Sequence, residues 1–156
     1  MSDIHSILFV CTGNSCRSIM AEGYLVHRLK ELGLEDVIVA SAGTGAMSGF
    51  HPTAETVEVM KESSIDVSGY TSSPLERSRI ESADIILVME SAHKNKIIIM
   101  SPDTQDKIFF LREFSSEKTK NIFIDDPIGK SIEFYREVSA VIKNSTEGFI
   151  KQWLKK

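Results

Sequence analysis

The chain alternates short apolar runs with longer stretches in which apolar residues recur every three or four positions. "SILFV" (Ser6–Val10) is short and almost wholly apolar, as a parallel strand buried on both faces should be. From Ser18 onward, Met20, Leu25, Leu29 and Leu32 roughly keep helical spacing and stop at Gly33, a natural helix end. "VIVAS" (Val37–Ser41) predicts a second strand, and "SAGTGAMSGFHP" a glycine-rich surface loop. Thr53 opens a helix ending near Ser63, and "PLERSRIESA" reads as a short helix. "DIILVM" (Asp84–Met89) predicts a third buried strand, Ser91–Met100 a helix, and "KIFFL" (Lys107–Leu111) a fourth strand. After the long loop "REFSSEKTKNIFIDDPIG", a last helix starts near Ser131 and runs toward Trp153. Its apolar face carries Ile132, Tyr135, Val138, Ile142, Phe149 and Trp153.

Helices interleaved with apolar strands predict the α/β class: a single domain whose parallel sheet of about four strands is flanked by helices. The 156 residues fit one domain, 1–156, without internal repeat, linker or low-complexity tract. Such sheets bind ligands beyond the carboxyl ends of their strands, where the loop after the first strand lies.

Composition removes several alternatives. A formal net charge of -4 argues against general nucleic-acid binding. No apolar run approaches the roughly 18–20 residues of a membrane span. The start, "MSDIHSILFV", lacks the cationic opening and long apolar core of a secretory signal. A cytoplasmic chain with neither membrane nor nucleic acid as partner is therefore expected. The only two cysteines, Cys11 and Cys16, do not make a disulfide framework. With no histidine or further cysteine beside them, a zinc site is not expected either.

Both cysteines fall in the loop between the first strand and the first helix, with Arg17 next to the second. A strand-to-helix turn gathers backbone N–H groups, and the helix N-terminus adds partial positive charge. Gly13 can supply a positive φ, and Asn14 tolerates a left-handed conformation better than most residues. The planar fork of Arg17 suits two oxygens of a phosphate-like dianion. Cys11 at the strand end should have its pKa depressed by this cationic surrounding, and Ser18 can steady its sulfur with a hydroxyl proton. A sulfur nucleophile beneath N–H groups and a guanidinium suits attack on tetrahedral phosphorus. No G-x-x-x-x-G-K-[ST] motif is present, which excludes Walker-type phosphate binding.

"VCTGNSCRSIMAE" resembles the signature of the low-molecular-weight protein-tyrosine-phosphatases, in which five residues separate nucleophile and arginine, as Thr12–Cys16 separate Cys11 and Arg17. "DDPIGKSIEFYREV" is similar to the family's second motif, an Asp-Pro before the last helix; "VASAGTG" and "IDVSGYTSSPL" match in order and spacing. The resemblance implies a phosphocysteine mechanism on a four-stranded parallel sheet, with neither metal nor organic cofactor. It implies that Cys11 is the nucleophile, that Arg17 binds the phosphoryl group, and that Thr12, Gly13, Asn14, Ser15, Cys16 and Ser18 form the phosphate-binding loop. Asp126, directly before Pro127, matches the family's general acid, whereas Asp125 is a supporting or solvated charge. Proline restricts the residue before it to extended geometry, which helps aim that carboxyl. Asn14 and Ser41 match positions whose side chains hold the loop in shape, and Tyr70 stands where a third member is usually histidine. The four histidines follow no catalytic or ligand spacing, and most are expected at the surface. Cys16 is either a small packed residue or a partner that shields Cys11 by a reversible disulfide.

The same resemblance implies a phosphorylated protein as substrate and a monomer or weak dimer as the working form. Phosphotyrosine is the first expectation. Two positions depart from the tyrosine-specific pattern: Ile128 replaces an aromatic residue after Asp-Pro, and Ser15 replaces an apolar branched one. A polar residue at position 15 resembles the bacterial protein-arginine phosphatases and the arsenate reductases of the same fold. Thioredoxin-coupled arsenate reduction needs further cysteines after the third strand, and "VMESAHKNKIII" has none.

Overall fold

The strands of the computed structural model, which describes residues 4–117 and 119–154, run β1 (Ser6–Cys11), β2 (Ile38–Gly43), β3 (Ile85–Val88) and β4 (Ile108–Phe110). All pair in parallel, in the order β2-β1-β3-β4. Helices α1 (Arg17–Leu32), α2 (Ala54–Lys61), α3 (Arg77–Ser82), α4 (Ser91–Met100) and α5 (Ile132–Phe149) cover both faces. The expected α/β architecture with a four-stranded parallel sheet is the one observed.

The apolar runs are continuous because the sheet has a core on each side. Successive side chains of a strand point to opposite faces. In β1, Ile7, Phe9 and Cys11 join the core under α1, α2 and α5, whereas Leu8 and Val10 join the one under α3 and α4. In β3, Ile85 and Leu87 divide from Ile86 and Val88 in the same way. Helical spacing does the matching work: Met20, Leu25 and Leu29 of α1 and Tyr135, Val138, Ile142 and Phe149 of α5 are all buried. Gly33 ends α1 at φ 72°, in the left-handed conformation that glycine adopts without strain.

Three boundaries differ from expectation. β2 runs on through Ala42 and Gly43, because Gly43 pairs in register with Cys11. The fourth strand shrinks to Ile108–Phe110 between two 3₁₀ turns, Pro102–Lys107 and Leu111–Phe114. The last helix leaves α geometry after Phe149 and closes with a π turn, Ile150–Leu154, so Trp153 stands beyond its regular face.

Strand order fixes where a ligand can sit. The chain leaves β1 to place β2 on one side and β3 on the other, which opens a crevice beyond the carboxyl ends of β1 and β3. Into it face the loop after β1, Thr12–Cys16, and the segment after β3 that begins at Met89.

Candidate active site

Cys11 ends β1 and is 2% exposed. The turn that follows lies against β2 so closely that no side chain fits between them: a Cβ on Gly43 would lie 2.4 Å from the Thr12 carbonyl oxygen and 3.0 Å from the Asn14 nitrogen. The next two residues pin the loop, since Thr44 N–H donates to the Cys11 carbonyl and Gly45 N–H to that of Thr12, each at 2.9 Å. Asn14 takes the left-handed turn of the loop at φ 53°, whereas Gly13 stays at negative φ, the reverse of the role expected for the glycine.

Asn14 is buried and every polar atom of its side chain is used. Its Oδ1 accepts Ser73 N–H at 2.8 Å, which fixes the orientation of the amide. Its Nδ2 donates to Ser18 Oγ at 2.7 Å and to Ser41 Oγ at 2.9 Å. Each hydroxyl has one proton, and the proton of Ser41 goes to Glu22 Oε1 at 2.5 Å. That of Ser18 is left for Cys11 Sγ at 2.9 Å. The chain Glu22–Ser41–Asn14–Ser18–Cys11 thus directs a donor at the sulfur. Burial raises the pKa of Glu22, while its Ser41 hydrogen bond and the Arg79 charge lower it.

The network ends on Glu22 rather than on Tyr70. Tyr70 is half-buried, with its hydroxyl pushed up to about 12 by burial first and the Glu22 charge second. Among the described residues no hydrogen bond links that hydroxyl to Asn14 or Ser41.

The depressed pKa expected for Cys11 is not what the structure gives. Burial dominates and pushes the thiol up. Against it act, in order, the Ser18 hydroxyl, the Arg17 charge and the backbone N–H groups of Ser18 and Asn14. The Ser18 N–H is free to reach the sulfur because the N-terminus of α1, with Cys16 at the cap, has no side-chain cap, and the Asn14 N–H comes from the loop itself. Both thiols are free and buried. Cys16 packs against Thr53 Oγ1 (3.5 Å) and Tyr135 Oη (3.6 Å).

Arg17, the first residue of α1, is 2% exposed, and such a buried guanidinium needs partners on all sides. Nη1 is held by Glu90 and by the Ile124 carbonyl at 2.8 Å. Nη2 faces Asp126 Oδ2 at 3.6 Å and Thr12 Oγ1 at 3.5 Å. Ile124 N–H in turn donates to the Met89 carbonyl at 3.0 Å, so the loop bearing Asp126 is tied to the end of β3. The other carboxyl oxygen of Asp126 accepts Ile128 N–H at 3.1 Å, whereas Asp125 is exposed.

A cavity of about 250 Å³ opens above Cys11. Thr12, Gly13, Ser15, Cys16 and Arg17 line it from the loop, and Asp126 and Ile128 from the far wall. Of the residues singled out from the sequence, Asn14, Ser18 and Ser41 stand behind this wall as supports. Sequence reasoning missed Glu22, Glu90 and His93. His93 is 1% exposed and bonded to Thr12, contrary to the surface position expected of most histidines, whereas His5 and His51 are exposed. The one local signal was the spacing of Glu90 and His93, whose Nδ1 accepts the Glu90 N–H across the first turn of α4. Among the described residues, no three His, Cys, Asp or Glu are grouped to hold a metal ion, and no helix is long and apolar enough to cross a membrane.

Comparison with known proteins gives a consistent result. The family described as low molecular weight phosphotyrosine protein phosphatase matches residues 6–156. A probable low molecular weight protein-tyrosine-phosphatase, EpsP, of Ralstonia solanacearum is 35% identical over 147 residues, 94% of each chain. A protein-arginine-phosphatase of Geobacillus stearothermophilus is 39% identical over 132 residues, 85% of this chain and 84% of its own. Among solved structures, a cysteine-to-serine mutant of the YwlE arginine phosphatase with a phosphorylated active-site serine superposes with a TM-score of 0.87. It is 34% identical and covers 97% of both chains.

Proposed function

Because this chain belongs to the low molecular weight phosphotyrosine protein phosphatase family, we propose that it hydrolyses phosphotyrosine in proteins through a phosphocysteine formed on Cys11. The observation that carries the reading is the convergence of Cys11, Arg17 and Asp126 on one cavity with the sulfur at its floor. A buried sulfur favours a substrate that carries phosphorus on a long, narrow arm, as tyrosine does and serine does not.

In the first step the Cys11 thiolate attacks phosphorus in line. The S–P bond forms, the bond to the phenolic oxygen breaks, and the Asp126 carboxyl gives its proton to the leaving oxygen. Backbone N–H groups of the loop and the guanidinium of Arg17 receive the phosphoryl oxygens. Asp126, now ionised, then takes a proton from a water that attacks phosphorus, and the P–S bond breaks to return the thiolate. The phosphorylated serine in the YwlE mutant structure supports a phosphoenzyme of this kind. Residues 1–156 act in this reading as one phosphatase domain that needs no metal or organic cofactor.

Phosphoarginine is a second reading, favoured by one observation. Ser15 presents a hydroxyl to the cavity where an apolar side chain would suit a phenyl ring, and Ile128 supplies the opposite wall without an aromatic face. The protein-arginine-phosphatase relatives support it.

The test compares para-nitrophenyl phosphate, a phosphotyrosine peptide and a phosphoarginine peptide. Cys11→Ser should abolish turnover of all three yet keep phosphate binding, and Asp126→Ala should lower kcat about 10²–10⁴-fold, far more than Asp125→Ala. Ser15→Ile should shift the ratio of kcat/KM toward phosphotyrosine by roughly tenfold. Substantial activity in Cys11→Ser would end the covalent reading.

A further inference from the structure

His93 has no part in the chemistry above, yet it is buried and bonded at both ring nitrogens. A backbone N–H can only donate, so the bond from Glu90 N–H to Nδ1 (3.1 Å) makes Nδ1 the acceptor. The proton of the neutral ring is then on Nε2, which donates to Thr12 Oγ1 at 2.9 Å. The ring therefore joins the first residue of the phosphate-binding loop to the N-terminus of α4, where Glu90 grips Arg17. Thr12, whose oxygen accepts from His93, keeps its own proton to donate within the cavity it lines.

We propose that His93 is a positioning residue for phosphoryl transfer, acting through Thr12 and resting on the phosphatase reading above. Its neutral imidazole straps the loop to the element that orients Arg17, and it turns the Thr12 hydroxyl proton toward a phosphoryl oxygen or the leaving group. The loop and Arg17 come from the β1 side of the crevice, Glu90 and His93 from the β3 side, and a displacement of about 1 Å between reacting groups can cost on the order of 10²-fold in rate. Protonation would undo the strap, because an imidazolium cannot accept the Glu90 N–H and would place a second cation beside Arg17. Burial first and the Arg17 charge second hold the ring neutral down to about 4, while Glu90 and Asp126 pull the other way.

Two substitutions separate the halves of the ring. Asparagine can keep an acceptor for Glu90 N–H but does not reach Thr12. Glutamine can place a donor near Thr12 at the expense of the cap. The expected result is that His93→Asn lowers kcat for para-nitrophenyl phosphate about 10- to 100-fold while its thermal midpoint stays near that of the wild type. His93→Gln should stay within about threefold of wild-type kcat, and Thr12→Val should reproduce the loss, with His93→Asn adding nothing to it. Inorganic phosphate affinity, measured by calorimetry on the same proteins, should fall in His93→Asn and hold in His93→Gln. Should the wild type fail to turn over any phosphate ester, the phosphatase reading falls, and phosphate affinity alone still decides the role of His93. Wild-type kcat and phosphate affinity in His93→Asn, or losses in Thr12→Val and His93→Asn that simply add, would overturn the proposal.

Discussion

Asn14 decides where the single proton of the Ser18 hydroxyl goes. With its Nδ2 donating to Ser18 Oγ, the hydroxyl proton is free to go to the Cys11 sulfur, and once that sulfur is a thiolate the hydroxyl is the only one of the pair with a proton to give. A hydrogen bond to a charged group is worth about 1.5–3 kcal/mol. Ser18→Ala should therefore raise the pKa of Cys11 further, because the largest of the influences that lower it is removed. The rate of alkylation by iodoacetamide against pH reads this directly, and an unmoved profile would show that the hydroxyl does not favour the thiolate. Cys11, Arg17 and Ser18 were legible in the sequence because all three fall in the one short stretch that joins β1 to α1. Glu90 and His93 were not: their partners Arg17 and Thr12 are 73 and 81 residues away. Their three-residue spacing marks a helix start and says nothing of a site. The sign of the Cys11 shift was misjudged for a related reason, since loop composition shows the cations while the desolvation comes from the packed cores around them.

Elements were legible where period and punctuation agreed, as in β1, β3 and α1. They blurred where a small residue serves pairing instead of turning. Gly43 reads as part of a glycine-rich loop, yet it is the last residue of β2, and its missing side chain lets the Thr12 carbonyl approach. The backbone of Thr12 and Asn14 and the Cβ of Ala46 leave a methyl group no room that rotamer changes could supply. Gly43→Ala should therefore destabilise the fold by about 1–3 kcal/mol, the usual cost of overpacking, and should also push the loop off Cys11. Urea denaturation should show the first effect, and a fall in kcat/KM of at least tenfold in the surviving folded enzyme the second. A folded, fully active Gly43→Ala would mean that the loop tolerates movement its geometry does not suggest.

At the scale of the whole molecule, the crevice between β1 and β3 places a neutral histidine among charges, and folding stability must then depend on pH. His93 has a pKa near 4 in the fold against 6.5 for an ordinary histidine. Between these values the unfolded chain binds a proton at this site and the folded chain does not. Stability therefore rises with pH from about 4 to 6.5; it is fully present above 6.5 and is lost as the medium is acidified through that window. The groups facing the ring are Arg17 from α1, Glu90 at the start of α4 and Asp126 from the loop before α5, so all the elements around the cavity contribute to the effect. Glu22 acts with the opposite sign, because burial raises its pKa and the folded state holds its proton longer. For this reason the slope of the wild type alone decides little, and the informative quantity is its difference from a variant that cannot titrate at position 93. His93→Gln should flatten the rise in unfolding free energy between pH 4.5 and 6.5, measured by urea titration at half-unit steps, and leave the region above pH 7 parallel to the wild type. Identical slopes for the two proteins would show that position 93 is protonated equally in both states, and the neutral strap across the crevice would have no thermodynamic trace.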